Sequence, residues 1–296
     1  MKENMNNKGN QQLYDAKNME VSISTTFNYD IPLSSMAPMI KNAGFDWISL
    51  SGSDYAQLAY LTVAGRDEII SICSENNLLV DSIHAPLGDN IDISHTDSDV
   101  REYGVHLFKQ AIHACTEIGC SMLVIHLCNR FPDDEFGGRM VAVRDSLEEI
   151  IPYARHKNIT IAIENLIKSS TLQLFERVLA EHNVTGVGVC LDTSHANIVG
   201  NLYSLLEKYG DRIIATHISD NKGLLDDHML PFEGTLDWNK FTQHFAKIPY
   251  KEKFLLEVEM RESSFKEPQV FLKEAYRRAQ ALITQLDTHR GKRRAR

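Results

Sequence analysis

The sequence predicts a single (β/α)8 barrel, on three observations. Eight short apolar runs alternate with longer stretches of helical spacing over about 270 residues, the pattern of a parallel sheet closed into a barrel. Most of the runs are apolar on both faces, as parallel strands buried between helices are. Six of the eight end on His, Asp or Glu, at the strand end where barrels of this kind carry their chemistry.

The runs cover residues 21–25, 47–51, 79–84, 121–126, 160–164, 188–192, 213–217 and 254–257. The clearest helical stretch is 99–118, where Val100, Tyr103, Leu107, Phe108, Ala111 and Cys115 recur at roughly 3.6-residue spacing. Segments 145–156 and 270–286 behave similarly. An open doubly wound sheet is the alternative. It usually carries a glycine-rich phosphate loop after an early strand, and none follows Thr25 or Ser51. Residues 1–20 are rich in Asn, Lys and Gln without the apolar stretch of a signal peptide, and read as a disordered leader. The barrel then spans 21–286, and 287–296 read as a basic C-terminal tail.

Composition narrows the class. Of 296 residues, 43% are hydrophobic, enough for a core without disulfides. The five cysteines are odd in number and form no C-x-x-C pair, which favours a reducing, cytoplasmic setting. No apolar run approaches membrane-spanning length. With 31 Lys and Arg against 40 Asp and Glu, the net charge of −9 counts against nucleic acid as the main partner. Whether the chain forms a homo-oligomer is left open.

The strand ends are His84, His126, Glu164, Asp192, His217 and Glu257. Carboxylates crowded into one cavity repel, and burial raises the cost of each charge. A divalent cation relieves both problems, and mixed nitrogen and oxygen donors suit Zn, Mn, Co or Mg. Three motifs sharpen this: Ile163-Glu164-Asn165, Leu191-Asp192-Thr193-Ser194-His195, and the polar run from His217 through Asp220, Asn221, Asp226 and His228 to Trp238. Taken singly, a strand-end histidine is more often a hydrogen-bonded barrel residue than a ligand. Asp226 and His228 have a bland alternative as solvated or helix-capping loop residues. Cys128 reads as a buried thiol, Trp238 as core and Phe27 as packing or pocket wall. Glu259 rivals Glu257 as the last ligand.

With Ser82-Ile83-His84-Ala85-Pro86, Val124-Ile125-His126, Thr216-His217-Ile218-Ser219-Asp220-Asn221 and Leu255-Leu256-Glu257 added, the sequence resembles the xylose-isomerase-like TIM-barrel superfamily over roughly 21–286. That superfamily includes sugar and sugar-phosphate isomerases and epimerases and endonuclease IV-type repair enzymes. For the isomerases, the resemblance implies one divalent metal on Glu164, Asp192, His217 and Glu257. Glu164 and Glu257 would exchange a proton on the substrate carbon while the metal stabilises an enediolate, and His195 would touch a substrate oxygen. For the endonuclease IV type, it implies three zinc ions on His84, His126, Glu164, Asp192, His195, His217, Asp226, His228 and Glu257, acting on abasic DNA. The chain departs from the pattern. Leu127-Cys128 follows His126 where relatives often have Pro-Gly. Gly223 stands where ketose 3-epimerases carry an arginine, with Lys222 beside it.

The reading favoured is an isomerase or epimerase of a small sugar or sugar phosphate. The alternative is the zinc phosphodiesterase, and a third reading is a barrel that binds a sugar without turning it over. Loop charge favours the first. The loop 87–99 carries Asp89, Asp92, Asp97 and Asp99, and the next sets Asp133, Asp134 and Glu135 beside Arg130 and Arg139.

Overall fold

The computed structural model describes residues 19–53, 57–182 and 185–294. Strands β1 (Val21–Ser24), β2 (Trp47–Leu50), β3 (Leu79–His84) and β4 (Met122–Ile125) lie side by side with β5 (Thr160–Glu164), β6 (Val187–Asp192), β7 (Ile213–His217) and β8 (Phe254–Leu256). All paired strands are parallel, in the order β7-β6-β5-β4-β3-β2-β1-β8. The ring closes just past β7: the Ile218 N–H donates to Leu255 O at 2.8 Å and the Glu257 N–H to Ile218 O at 3.2 Å. The expected (β/α)8 barrel is therefore the fold.

The helices are α1 (Leu33–Ala43), α2 (Val63–Glu75), α3 (Ser98–Ile118), α4 (Phe136–His156), α5 (Ser169–Glu181), α6 (Thr193–Val199), α7 (Leu202–Tyr209), α8 (Trp238–Phe245) and α9 (Pro268–Arg294). Helix α4 begins nine residues before the expected 145, because Gly137 and Gly138 lower the helical signal of its first turn. Gly138 also lets that turn pack close: a Cβ there would lie 2.9 Å from Thr96 Cγ2. Helix α9 runs on to Arg294 through the segment read as a tail. The leader lies outside the described residues except for Met19, which packs on the core, and Glu20, whose carbonyl accepts the Phe254 N–H at 2.8 Å. Among the described residues, no helix is long and apolar enough to cross a membrane.

Side chains two residues apart on a strand share a face. Two residues before His126, Glu164, Asp192 and His217 stand Val124, Ala162, Cys190 and Ala215, which form a small buried apolar cluster of their own. This mostly small-residue layer fills the barrel beneath the strand-end donors, which therefore point inward at its carboxyl-terminal mouth. The remaining apolar side chains form the larger core shared with the surrounding helices. Phe27, stacked 6.3 Å from Phe271, and Trp238 both belong to it.

Candidate metal centre

The strands end where the chemistry starts. His84, Glu164, Asp192 and His217 are the last residues of their strands, while His126 and Glu257 stand one residue past theirs. Glu164, Asp192, His217 and Glu257 each bring a ligand-type atom to within 4.8 Å of the others, and all four are buried. His217 Nδ1 lies 3.1 Å from Glu164 Oε2 and 2.9 Å from Glu257 Oε2. These are charge contacts without hydrogen-bond alignment, for His217 Nδ1 has no hydrogen-bond partner and neither has Asp192 Oδ2. Buried polar atoms left unpaired at the meeting point of three carboxylates and an imidazole are costly. On that observation these residues fit a divalent cation.

Glu164 is the hub. Its Oε2 also lies 3.3 Å from His84 Nε2 and 3.3 Å from His126 Nε2, and its Oε1 lies 3.2 Å from His195 Nδ1. Four imidazoles thus surround one carboxylate. Asp226 forms a second focus, with its Oδ2 2.9 Å from His195 Nε2 and 3.1 Å from His228 Nε2. The loop readings of Asp226 and His228 as solvated or capping groups are corrected here, because the chain folds back to bring both to the mouth. All nine sequence candidates converge on one site.

Ring orientation carries further information. The Nδ1–H groups of His84, His195 and His228 donate to the carbonyls of Ala85 at 2.9 Å, Asn165 at 2.8 Å and Glu257 at 3.1 Å. A carbonyl only accepts, so each Nδ1 carries a proton and each Nε2 faces a carboxylate. Such a nitrogen must be protonated or must share a cation with that carboxylate.

Burial opposes charge on Glu164, but His217 and His126 hold its carboxyl well below the usual range. Burial likewise opposes charge on Glu257, which His217 holds down at about 2. Burial pushes Asp192 up to about 7 against the pull of His195. His228 rises to about 10, because its bond to Asp226 outweighs its burial. In His217, desolvation is overcome by Cys190, Glu257 and Glu164, and the ring stays well above its ordinary range. Protons on imidazoles balance the carboxylates here as a cation would, and cation binding releases them.

Local structure fixes these groups. Asp192 ends β6 and caps α6, its Oδ1 accepting the His195 N–H at 2.6 Å. Asn165 laces β5 to β6 past their last backbone pair. Its Oδ1 accepts the Asp192 N–H at 2.9 Å and its Nδ2 donates to Asp192 O at 3.0 Å. Asp220 organises the loop after β7. It accepts from the N–H groups of Asn221, Leu236 and Phe232 and, at 2.8 Å, from Trp238 Nε1. The sequence reading quoted Asn165 and Asp220 within motifs but gave neither a task. The signal for Asn165 was its place right after a strand-end carboxylate, where an amide can continue the ladder.

Other candidates fall away from the site. Glu259 is not in the four-donor group and pairs with Arg261 at 3.3 Å. Cys128 is a buried thiol, pushed by burial well above its ordinary range. Arg139, counted with the mouth loops, turns inward and is buried on Asp92 at 2.6 Å. The open side of the site belongs to His126, Glu257, Asp226 and His228, whose side chains are 20%, 11%, 26% and 18% exposed. An apolar cleft of about 270 Å³ beside α1 and α2 is lined by none of the nine.

A family model described as xylose isomerase-like TIM barrel matches residues 38–283. "Uncharacterized protein y4fM" of Sinorhizobium fredii is 31% identical over 294 residues, covering 88% of this chain and 90% of that protein. "Probable endonuclease 4" of Mesoplasma florum is 28% identical over 179 residues, 55% of this chain and 60% of that protein. Among solved structures, a D-tagatose 3-epimerase-like protein superposes with a TM-score of 0.76 at 20% identity, over 90% of this chain and 99% of its own. A likeness at that identity speaks for the fold.

Proposed function

The chain belongs to the xylose isomerase-like TIM barrels, and we propose that within that family it is a divalent-metal-dependent isomerase or epimerase of a small sugar. The observation that carries this reading is the pair Glu164 and Glu257, which converge on His217 Nδ1 at 3.1 and 2.9 Å with Asp192 in the same cluster. Glu164, Asp192, His217 and Glu257 would hold the ion, which supplies positive charge next to the substrate's carbonyl and hydroxyl oxygens.

The two glutamates are not equivalent. Glu257 reaches the open side, whereas Glu164 is 1% exposed and ringed by imidazoles. Glu257 is therefore assigned the proton transfer at the carbon beside the carbonyl. Glu164 takes the second transfer, with His195 Nδ1 3.2 Å from its Oε1. His126, Asp226 and His228 meet the substrate's hydroxyls at the mouth. Glu→Gln keeps the shape and removes the base. Glu257→Gln is expected to retain bound metal yet slow solvent-deuterium exchange into ketoses by at least a few hundred-fold. Unchanged exchange would overturn the assignment.

One observation favours a second reading, a metal phosphodiesterase. His84 with His126, and His195 with Asp226 and His228, add two donor groups beyond the four. Metal analysis separates the readings. One ion per chain supports the isomerase, and three zinc ions with cleavage of abasic DNA support the phosphodiesterase.

A further inference from the structure

One histidine of the site is mounted the other way round. His84, His195 and His228 give Nδ1–H to a carbonyl and turn Nε2 to a carboxylate. His217 instead turns Nδ1 to Glu164 and Glu257, at 3.1 and 2.9 Å. Its Nε2 therefore points away from the carboxylates, on a ring that is buried. A buried N–H needs a partner. Of the two ring nitrogens only Nδ1 is left without one. His217 and Cys190 share a side-chain hydrogen bond. With Nδ1 unpaired, that bond runs through Nε2.

The fold offers this imidazole little else. Cys190 stands on β6 two residues before Asp192, and in the parallel register it pairs with Ala215, two residues before His217. Its side chain thus points into the barrel one layer beneath the donors, and it is fully buried. Val124, Ala162 and Ala215, its neighbours in that layer, carry no hydrogen-bonding side-chain atom. Ser82, two residues before His84, has its hydroxyl taken by Ser49 Oγ at 2.8 Å. A cavity of about 10 Å³ reaches His217 beside Thr216 and Tyr250, which is the lower limit for one water.

An imidazole that ligates a metal is oriented by the group its other nitrogen meets, and losing that group commonly costs about ten- to a hundredfold in metal affinity. We infer that Cys190 is a positioning residue of the metal centre: its sulfur accepts the His217 Nε2–H and so keeps the Nδ1 lone pair for the ion. Thiol sulfur is a weak acceptor. It fixes the ring and its tautomer without drawing the proton off Nε2. The inference rests on the metal reading of Glu164, Asp192, His217 and Glu257, and part of its test needs no metal.

Cys190→Ala and Cys190→Ser differ by one hydroxyl oxygen, so comparing them separates the acceptor from the packing of the sulfur. Zinc affinity of the purified full-length chain is measured by competition with a chelating dye. Cys190→Ala is expected to bind zinc at least about tenfold more weakly than wild type, and Cys190→Ser, which restores an acceptor, to stay within about threefold. Equal affinities in the two folded variants, both high or both low, overturn the proposal. The second measurement uses the ion-free, 15N-labelled wild type. The His217 Nε2–H is expected as a slowly exchanging proton resonance, identified by its absence from His217→Ala. It should shift in Cys190→Ser and lose its protection in Cys190→Ala. Rapid exchange in wild type, or an Nε2 without a proton, refutes the bond to Cys190. Failure of the metal reading shows separately, as a wild type that binds no zinc while this proton stays protected.

Discussion

Replacing Asp220 by Asn tests how the mouth is built. One carboxylate oxygen accepts the N–H groups of Asn221 and Leu236, and the other accepts those of Phe232 and the Trp238 indole. An amide has one acceptor oxygen. Whichever way it turns, its NH2 faces two N–H donors, so two hydrogen bonds to a charged acceptor are lost. Each is worth about 1.5–3 kcal/mol, and the unpaired donors stay behind. The expected cost is about 3–6 kcal/mol, a large part of an ordinary domain's stability. At roughly 2–4 °C per kcal/mol, the melting temperature should fall by about 10 °C. Urea unfolding measures the first quantity and calorimetry the second. Hydrogen exchange should localise the damage to residues 220–237, with Asp226 and His228 losing their place at the site. Trp238→Phe, which keeps the carboxylate and three of its donors, should cost less. A folded Asp220→Asn variant within about 1 kcal/mol of wild type would refute the reasoning.

Three further outcomes follow from other parts of the molecule. Burial pushes Asp81 up to about 6 despite Lys253 at 3.4 Å, so its stabilising contribution is complete below its unfolded value near 4 and is lost as pH rises through about 6. Asp81→Asn should therefore match wild type near pH 4 and exceed its stability at pH 8 by up to about 3 kcal/mol, read from urea midpoints at both pH values. Asp192→Ala and His217→Ala should each lose bound metal and activity while circular dichroism stays native, because the barrel core lies beneath these groups; full metal retention in either variant would show the ligand assignment wrong. Gly52→Ala would set a Cβ 1.9 Å from Ala85 O and 2.9 Å from His84 Nδ1. It should cost about 1–3 kcal/mol and shift the His84 imidazole resonances, and an unperturbed His84 spectrum would contradict the packing.

The barrel was legible because its signals are local. Runs such as 79–84 and 213–217 match β3 and β7 residue for residue, since a mostly buried parallel strand has few alternatives. Six strand ends gave six of the nine donors. Asp226 and His228 were ambiguous because their loop reaches the site through long-range contacts: the Asp220–Met229 bridge, and the Glu259 N–H donating to His228 O at 2.7 Å. No periodicity announces such contacts. Arg139 misled for the opposite reason. It stands beside the exposed Asp133 and Asp134, and only the fold reveals that α4 turns it onto Asp92. Asn165 and Asp220 were visible as residue types but not as roles, because a role made of hydrogen bonds to backbone needs the backbone in place.

The donors also explain why this chemistry sits at strand ends. Within the barrel, backbone carbonyls are consumed by neighbouring strands. Past the last ladder pair, Glu164 with Cys190 on β5 and β6, the strands diverge and carbonyls come free. Those of Ala85, Asn165 and Glu257 take the Nδ1–H groups of His84, His195 and His228. Each therefore turns a ring so that Nε2 faces Glu164 or Asp226. The mouth of the barrel supplies the inward-pointing side chains and, from the same divergence, the acceptors that set their tautomers. Moving His84 a residue along β3 would lose both at once. Its side chain would point to the opposite face, and its Nδ1 would meet a carbonyl already engaged in the ladder.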